Sequence, residues 1–307
     1  MRYRPFGATG ITLSAVGLFI GEDLARRHGP EVVWTALENG INLFEVATGD
    51  TVAITALGEA LKGVERRLVY VVLRAGTHRS LDGRQTRDFS PPAVVNALRI
   101  AGSSMRAGAF DLVLLDDPSS EELSARTLMA LRAEQEAGRV RMLGVSGEDD
   151  AVDAYISARA FDVLAQPYNL TSGWRERLRL KAAGSQDMPV LGYRFFPPEF
   201  DARERAAPQP RGASPTRLNL FRKAEVVAHA AASEGYDFLA SVKGWTPQEL
   251  CLAYSLTEPG LSSMLISPRS LDELEALAAV PDRDFPTFVA AQIEMARFSQ
   301  APLARSA

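Results

Sequence analysis

The sequence is poor in the residues that disulfides, metal sites and membrane spans require. Its 307 residues include a single cysteine, Cys251, and three histidines. One cysteine forms neither an internal disulfide nor a multi-cysteine metal site. No run of 18 uninterrupted apolar residues occurs, and the chain does not open with a charged segment followed by an apolar one. These absences predict a soluble, cytoplasmic protein, with neither a metal nor a membrane as partner.

Positive charge does not dominate either. The chain has 34 lysines and arginines against 38 aspartates and glutamates, a net charge of −4 and a pI near 5.6. This balance provides no basic stripe for a phosphate backbone, so it argues against a nucleic-acid partner and favours small molecules as ligands. With 46% hydrophobic residues, we expect one domain over residues 1–307. No pattern indicates the oligomeric state.

Short apolar runs alternate with longer amphipathic stretches along the whole chain. This alternation is typical of repeated β-α units around a parallel sheet, and eight runs predict a closed (β/α)8 barrel. The runs are SAVGLFI, INLFEV, LVYVVLR, FDLVLLDD, VRMLGVS, FDVLAQ, MPVLGYRF and SSMLIS. The predicted helices cover 31–39, 53–62, 93–106, 121–137, 149–158, 175–183, 224–234 and 247–256.

Several predicted helices begin with a recognisable start signal. SPPAVV places prolines in a first turn, SSEEL resembles a capping box, and TPQEL combines both features. The opening MRYRPFGATGITLS predicts a small hairpin that plugs the barrel, and a further helix is expected over 285–298. Two loops should reach the mouth of the barrel, 22–30 and the arginine-rich 197–219, and the second is a lid candidate.

Polar residues stand at the carboxyl ends of the apolar runs, where barrel enzymes place their active sites. They are Glu45, Arg74, Asp116 with Asp117, Ser146, Gln166, Tyr193 with Arg194, and Ser267. Carboxylates held close together in a partly dry site separate their pKa values, which lets one act as acid and another as base. Two structural alternatives remain open: Glu45 and Arg74 simply neutralise each other, and Asp116 caps the following helix.

The order of these motifs resembles the aldo-keto reductase family. INLFEVATGD with LGEAL is similar to the family's "INFFDTAxxYG" and "LGxAL", FDLVLLDDP to "iDLyllHxP", and GRVRMLGVSG to "GkvryiGvSN". LAQPYNL and TPQELCLAYSL resemble "vQxxYNLL" and "TPaQlaLaw". The resemblance runs nearly from end to end and implies the family's barrel with its N-terminal hairpin and extra C-terminal helix.

The same resemblance implies that the catalytic tetrad is replaced. By register, the family's aspartate falls on Glu45, its tyrosine on Asp50, its lysine on Arg74 and its histidine on Asp116. In the family the tyrosine hydroxyl protonates a carbonyl while hydride arrives from a reduced nicotinamide. An ionised aspartate donates no proton, and arginine is permanently protonated and planar, so it does not take over the lysine's part.

Cofactor positions are partly kept. Ser146 and Gln166 match the family residues that hold the nicotinamide amide, and Tyr193 matches the aromatic residue that stacks on the ring. ISPRSLDEL resembles the family's phosphate-binding turn, with Ser267, Arg269 and Ser270 as contacts to an adenosine 2′-phosphate. The resemblance therefore implies NADP(H), although Phe19 and Ile20 replace a small pair beside it and Gly147 replaces an asparagine.

Three functions fit this reading. The first is a non-redox lyase, dehydratase or isomerase that acts on a polar carbonyl or sugar-like metabolite, with Asp50 and Asp116 sharing protons and Arg74 stabilising negative charge. The second is a divergent NADP(H)-dependent oxidoreductase, and the third is a catalytically silent binding or regulatory barrel. The residues favour the first, because function belongs to the site and not to the scaffold.

Overall fold

All eight predicted strands form one closed parallel barrel in the computed structural model, which describes residues 1–79, 85–105, 108–198, 200 and 235–300. Around the barrel the strand order is β10, β11, β12, β3, β4, β5, β8 and β9. The strands are β1 (Tyr3–Pro5), β2 (Thr12–Ser14), β3 (Val16–Phe19), β4 (Leu43–Ala47), β5 (Tyr70–Ala75), β6 (Thr77–Arg79), β7 (Gln85–Arg87), β8 (Phe110–Asp116), β9 (Val140–Ser146), β10 (Val163–Pro167), β11 (Val190–Tyr193) and β12 (Ser263–Ile266).

Helices alternate with the barrel strands in the part of the chain that is described. They are α1 (Glu22–His28), α2 (Glu31–Glu38), α3 (Thr51–Leu61), α4 (Pro91–Met105), α5 (Ala125–Glu136), α6 (Asp150–Ser157), α7 (Trp174–Gly184), α8 (Pro247–Ser255), α9 (Leu271–Ala279) and α10 (Thr287–Gln300). Short 3-10 helices cover Arg66–Leu68, Asp237–Ser241 and Val280–Asp282. The C-terminal helix expected over 285–298 is therefore present as α10.

Two buried clusters divide the core. The smaller one combines alternate residues of the barrel strands, such as Leu43, Val72 and Leu114, with Phe6 and Leu13 from the hairpin of β1 and β2. Because side chains of a strand alternate between its two faces, this cluster fills the barrel interior. The hairpin therefore plugs the end at which the strands begin, as the sequence predicts, and the larger cluster lies between barrel and helices.

The start signals are confirmed in part. Thr246 and Glu249 form the capping box of α8, and prolines open α4. Ser119 and Glu122 exchange the bonds expected of a capping box, but they close a turn, and α5 begins three residues later with Ser124 as its cap.

Other elements differ from the prediction. Residues 22–28, expected to be a loop, form α1, whose acids and bases lie at the favourable ends of the helix. The hairpin of β6 and β7 and helix α9 were not among the predicted elements. Most of the predicted lid over 197–219 and the helix predicted over 224–234 lie outside the described residues.

Candidate active site at the barrel mouth

Strand alternation brings most of the predicted polar residues to one end of the barrel interior. Leu43, Val72 and Leu112 face inward from β4, β5 and β8, so the residues two or four positions later face inward as well. At the carboxyl ends of the strands these inward positions hold Phe19, Glu45, Arg74, Asp116, Ser146, Tyr193 and Ser267. The interior is thus apolar at its base and polar at its mouth.

Arg74 is the centre of this polar layer. Its Nε donates to Glu45 Oε1 at 2.5 Å, and its Nη1 donates to Asp116 Oδ1 at 2.7 Å and to the Ser146 hydroxyl at 3.2 Å. The Glu45 side chain is 0% exposed, whereas 16% of Arg74 and 24% of Asp116 remain accessible. Nη2 of Arg74 donates to none of the described residues.

The two carboxylates flanking Arg74 have opposite pKa shifts. Burial raises the pKa of Glu45 above its ordinary value, and the attraction of Arg74 offsets this only in part. Burial also acts to raise the pKa of Asp116, but Arg74 and the bonds to Asp116 hold it below the usual range. The lowered pKa keeps Asp116 ionised at neutral pH, and the second oxygen of Glu45 is buried without a partner among the described residues.

Tyr193 borders the same cluster from β11. The Arg74 guanidinium lies 5.4 Å from the centre of its ring, and that of Arg194 lies 5.7 Å away. Such contacts are typical of cation–π pairs. The Ser146 hydroxyl is likewise engaged, because it also donates to the Leu115 carbonyl at 3.2 Å.

Asp50 does not take part in this network. Its Oδ1 accepts the backbone N–H of Ala53 at 2.8 Å, so it is the N-cap of α3. Burial raises the pKa of its carboxyl, and the charged side chains that shift it most are Glu22 and Arg26 of α1. Asp50 lines the mouth, but its described bonds are those of a helix cap and not of a proton-sharing pair with Asp116.

Gln166 is not brought to the mouth. Val163 and Ala165 belong to the interior cluster, so Gln166 faces the helices instead. Its side-chain N–H donates to the Glu176 carbonyl in α7 at 3.0 Å, and the residue is 0% exposed. Counting the two-residue alternation of VLAQP from Val163 would have revealed this orientation.

A pocket of about 850 Å³ extends from Arg74 and Asp116 towards α1 and the loop after β12. Its wall includes two of the three residues of the predicted phosphate-binding turn, Ser267 and Arg269. The third, Ser270, caps α9 through the Glu273 N–H at 3.2 Å. We call this space the mouth pocket.

The predicted site residues did not include several side chains of the mouth pocket, among them Glu22, Asp23 and Arg27 of α1. Arg27 also donates to the Arg269 carbonyl. The pattern EDLARRH, with acids in the first turn and bases in the last, was the available sign that this segment is a helix.

Two other features bear on the class of site. Within the described residues, no three metal-ligating His, Cys, Asp or Glu side chains come together. None of the described helices is long and apolar enough to cross a membrane.

Comparison with known proteins identifies the family. The model of the aldo/keto reductase family matches residues 16–297, so the chain belongs to this family. L-galactose dehydrogenase of Arabidopsis thaliana is 24% identical over 304 residues, which cover 91% of this chain and 88% of that protein.

Solved structures agree with the fold. The holo form of aldo-keto reductase AKR11C1 from Bacillus halodurans superposes with a TM-score of 0.74 at 17% identity and covers 96% of each chain. Glycerol dehydrogenase AKR11B4 from Gluconobacter oxydans also gives 0.74, at 18% identity, over 98% of this chain and 96% of the other.

Proposed function

We propose that this chain is a non-redox enzyme acting on a small hydroxylated carbonyl compound. It removes a proton from the carbon next to the carbonyl group. The observation that carries the proposal is Arg74 at the floor of the mouth pocket, paired with the ionised Asp116 and with one amino group unused by the described residues. A base and a hydrogen-bond donor thus lie side by side at an accessible surface.

The chemistry follows from these two groups. The Asp116 carboxylate takes the proton as the C–H bond breaks, and the electron pair moves onto the carbonyl oxygen, where Nη2 of Arg74 stabilises the negative charge. Return of the proton to the former carbonyl carbon, as the proton of the adjacent hydroxyl passes to the enolate oxygen and a new carbonyl forms, completes an isomerisation. Loss of a β-hydroxyl as water, with the proton held by Asp116, completes a dehydration and restores the carbonyl. A preorganised donor at such an oxygen typically contributes a factor of about 10²–10³ in rate.

The substrate class rests on the same pair. A carboxylate accepts hydrogen bonds from hydroxyls, and a guanidinium donates to carbonyl oxygens. Two relatives are named for a sugar and a polyol, L-galactose and glycerol. Both points favour a sugar-like substrate with adjacent carbonyl and hydroxyl groups.

Members of this family generally bind NADP(H), but the residues present fit a nicotinamide poorly. Gln166 is turned towards α7, and the Ser146 hydroxyl is engaged by Arg74 and the Leu115 carbonyl. Arg74 already contacts the Tyr193 ring, and Phe19 lines the pocket beside it. We therefore propose that Glu45, Asp50, Arg74 and Asp116 stand at the positions of the family's tetrad, that Arg74 and Asp116 carry the chemistry, and that hydride transfer is not the reaction.

A second candidate is a divergent NADP(H)-dependent oxidoreductase. Family membership favours it, as do Arg27, Ser267 and Arg269, which line one side of the mouth pocket and offer two cations and a hydroxyl to a phosphate.

Deuterium exchange tests the first proposal directly. The chain is incubated in D₂O with a panel of α-hydroxy aldehydes and ketoses, and NMR monitors deuterium at the carbon next to the carbonyl. We expect exchange without added nucleotide, a loss of at least about 100-fold in Asp116→Asn, and near-normal exchange in the control Asp117→Asn.

A parallel titration with NADPH, followed by its fluorescence, separates the alternatives. Tight NADPH binding with nucleotide-dependent reduction and no exchange would establish the oxidoreductase. Neither exchange nor reduction across the panel would favour the silent barrel. Exchange that persists in Asp116→Asn would remove Asp116 from the mechanism.

A further inference from the structure

A second cavity lies at the opposite end of the barrel from the mouth. It has a volume of about 710 Å³ and lies among the end of α3, the 3-10 helix Arg66–Leu68, the end of α4 and the starts of β5, β8 and β9. We call it the basal groove. It shares no lining residue with the mouth pocket.

The charge of the basal groove is opposite to that of the whole chain. Its described lining carries Lys62, Arg66, Arg67 and Arg141 against one carboxylate, Asp111. The mouth pocket carries four carboxylates and three guanidiniums, and the chain has a net charge of −4. The basal groove therefore concentrates positive charge, although the chain as a whole carries a net negative charge.

The single carboxylate is already neutralised. Asp111 Oδ2 accepts from Arg66 Nη2 at 2.7 Å and from the backbone N–H of Val71 at 2.8 Å. Arg66 also donates to the carbonyls of Val69 and Ala109, so this pair forms a fixed wall of the groove. Asp111 thus opposes a bound anion less than a free carboxylate would.

The remaining cations are accessible. Lys62 pairs with Glu59, and Arg67 with Glu65, but both pairs are exposed, and exposed pairs are weak and exchange partners readily. Lys62 also follows the end of α3, whose carbonyl groups attract positive charge. Arg141 lies in β9, and its exposed side chain pairs with none of the described residues.

Apolar side chains complete the groove. Leu61, Val69 and Met105 line it beside the cations, whereas the Tyr70 side chain packs against the interior cluster. Gly108 adds open space, because a Cβ built there would meet nothing within 4 Å.

We propose that the basal groove binds a small organic phosphate that carries a ring, with the phosphate at Lys62, Arg67 and Arg141 and the ring against the apolar wall of Leu61 and Met105. Cations with a neighbouring apolar wall match both parts of such a ligand. This site is independent of the chemistry at the mouth.

Calorimetric titration of the full chain with ADP and with pyrophosphate tests the site. We expect saturable binding of ADP, weakened at least tenfold in the double variant Lys62→Gln/Arg141→Gln. The double variant Arg99→Gln/Arg126→Gln makes the same change in net charge at exposed positions outside the groove and should bind within twofold of the parent.

Each other outcome overturns the proposal. Absence of saturable ADP binding at millimolar concentration removes the site, and equal weakening in both double variants reduces it to overall charge. Binding that is lost in Arg27→Gln/Arg269→Gln, but kept in Lys62→Gln/Arg141→Gln, assigns the nucleotide to the mouth pocket. Stronger binding of pyrophosphate than of ADP removes the role of the apolar wall and with it the proposed ring.

Discussion

At both ends of the barrel interior the inward side chains follow the same strand alternation, but those at the base are apolar and those at the mouth are charged or polar. At the base, Phe6 and Leu13 close the barrel with side chains that are 2% and 1% exposed. At the mouth, the equally buried Glu45 is paired with Arg74. An apolar plug stabilises through burial alone, whereas a buried ion pair typically contributes little net stability. The charged side chains at the mouth are therefore better explained by function than by stability. The apolar side chains at the base are explained by their contribution to folding.

The sharpest way to break this comparison is to remove the guanidinium. Arg74→Met leaves Glu45 buried without its partner, so we expect a loss of about 3–5 kcal/mol in the free energy of unfolding, measured with urea. Adding Glu45→Gln to the same chain should recover part of that loss. If Arg74→Met alone were as stable as the parent, the Glu45–Arg74 pair would not be buried as described.

The matching change at the base is Leu13→Ala. It leaves a cavity in the interior cluster, and we expect a loss of about 2–5 kcal/mol. Exchange at the mouth per folded molecule should stay unchanged, because Leu13 does not line the mouth pocket. The control Leu13→Met keeps the volume and should cost less than about 1.5 kcal/mol. Loss of exchange in folded Leu13→Ala would show that the two ends are coupled.

The cap of α3 offers a smaller test. Asp50→Ala removes the acceptor for the Ala53 N–H and should cost about 1 kcal/mol, with a range of about 0.5–2 kcal/mol. Asp50→Asn retains a capping oxygen and should keep both stability and exchange. If Asp50→Asn abolished exchange while the chain stayed folded, Asp50 would return to the proposed acid–base chemistry.

The weakest expected effect is the pH dependence contributed by Asp116. Its pKa is lower in the folded chain than in the unfolded one, so the stabilisation from its pairing is present above the unfolded pKa, about 4, and is lost as the pH falls through the folded pKa. The difference in unfolding free energy between the parent and Asp116→Asn should therefore shrink from pH 7 towards pH 3. A constant difference, measured with urea across this range, would contradict the lowered pKa of Asp116.

Parts of the site could be read from the sequence and others could not. Glu45, Arg74 and Asp116 end apolar runs that alternate regularly, so their meeting at one opening was predictable. Gln166 also ends a run, but counting strand ends without counting faces assigned it to the mouth, while the fold turns it towards Glu176. Asp50 was assigned a chemical part by its register in a motif, whereas its own helix start uses it as a cap.

The sequence by itself determined the family and the barrel, because apolar runs separated by amphipathic helices bury their surface well in very few arrangements. It also determined which polar residue types stand at the strand ends. Only the tertiary structure decided that Arg74 is shared between two carboxylates with opposite pKa shifts and that four basic residues gather in the basal groove. Those outcomes depend on burial and on distances between residues far apart in the chain, and neither quantity is encoded in local pattern.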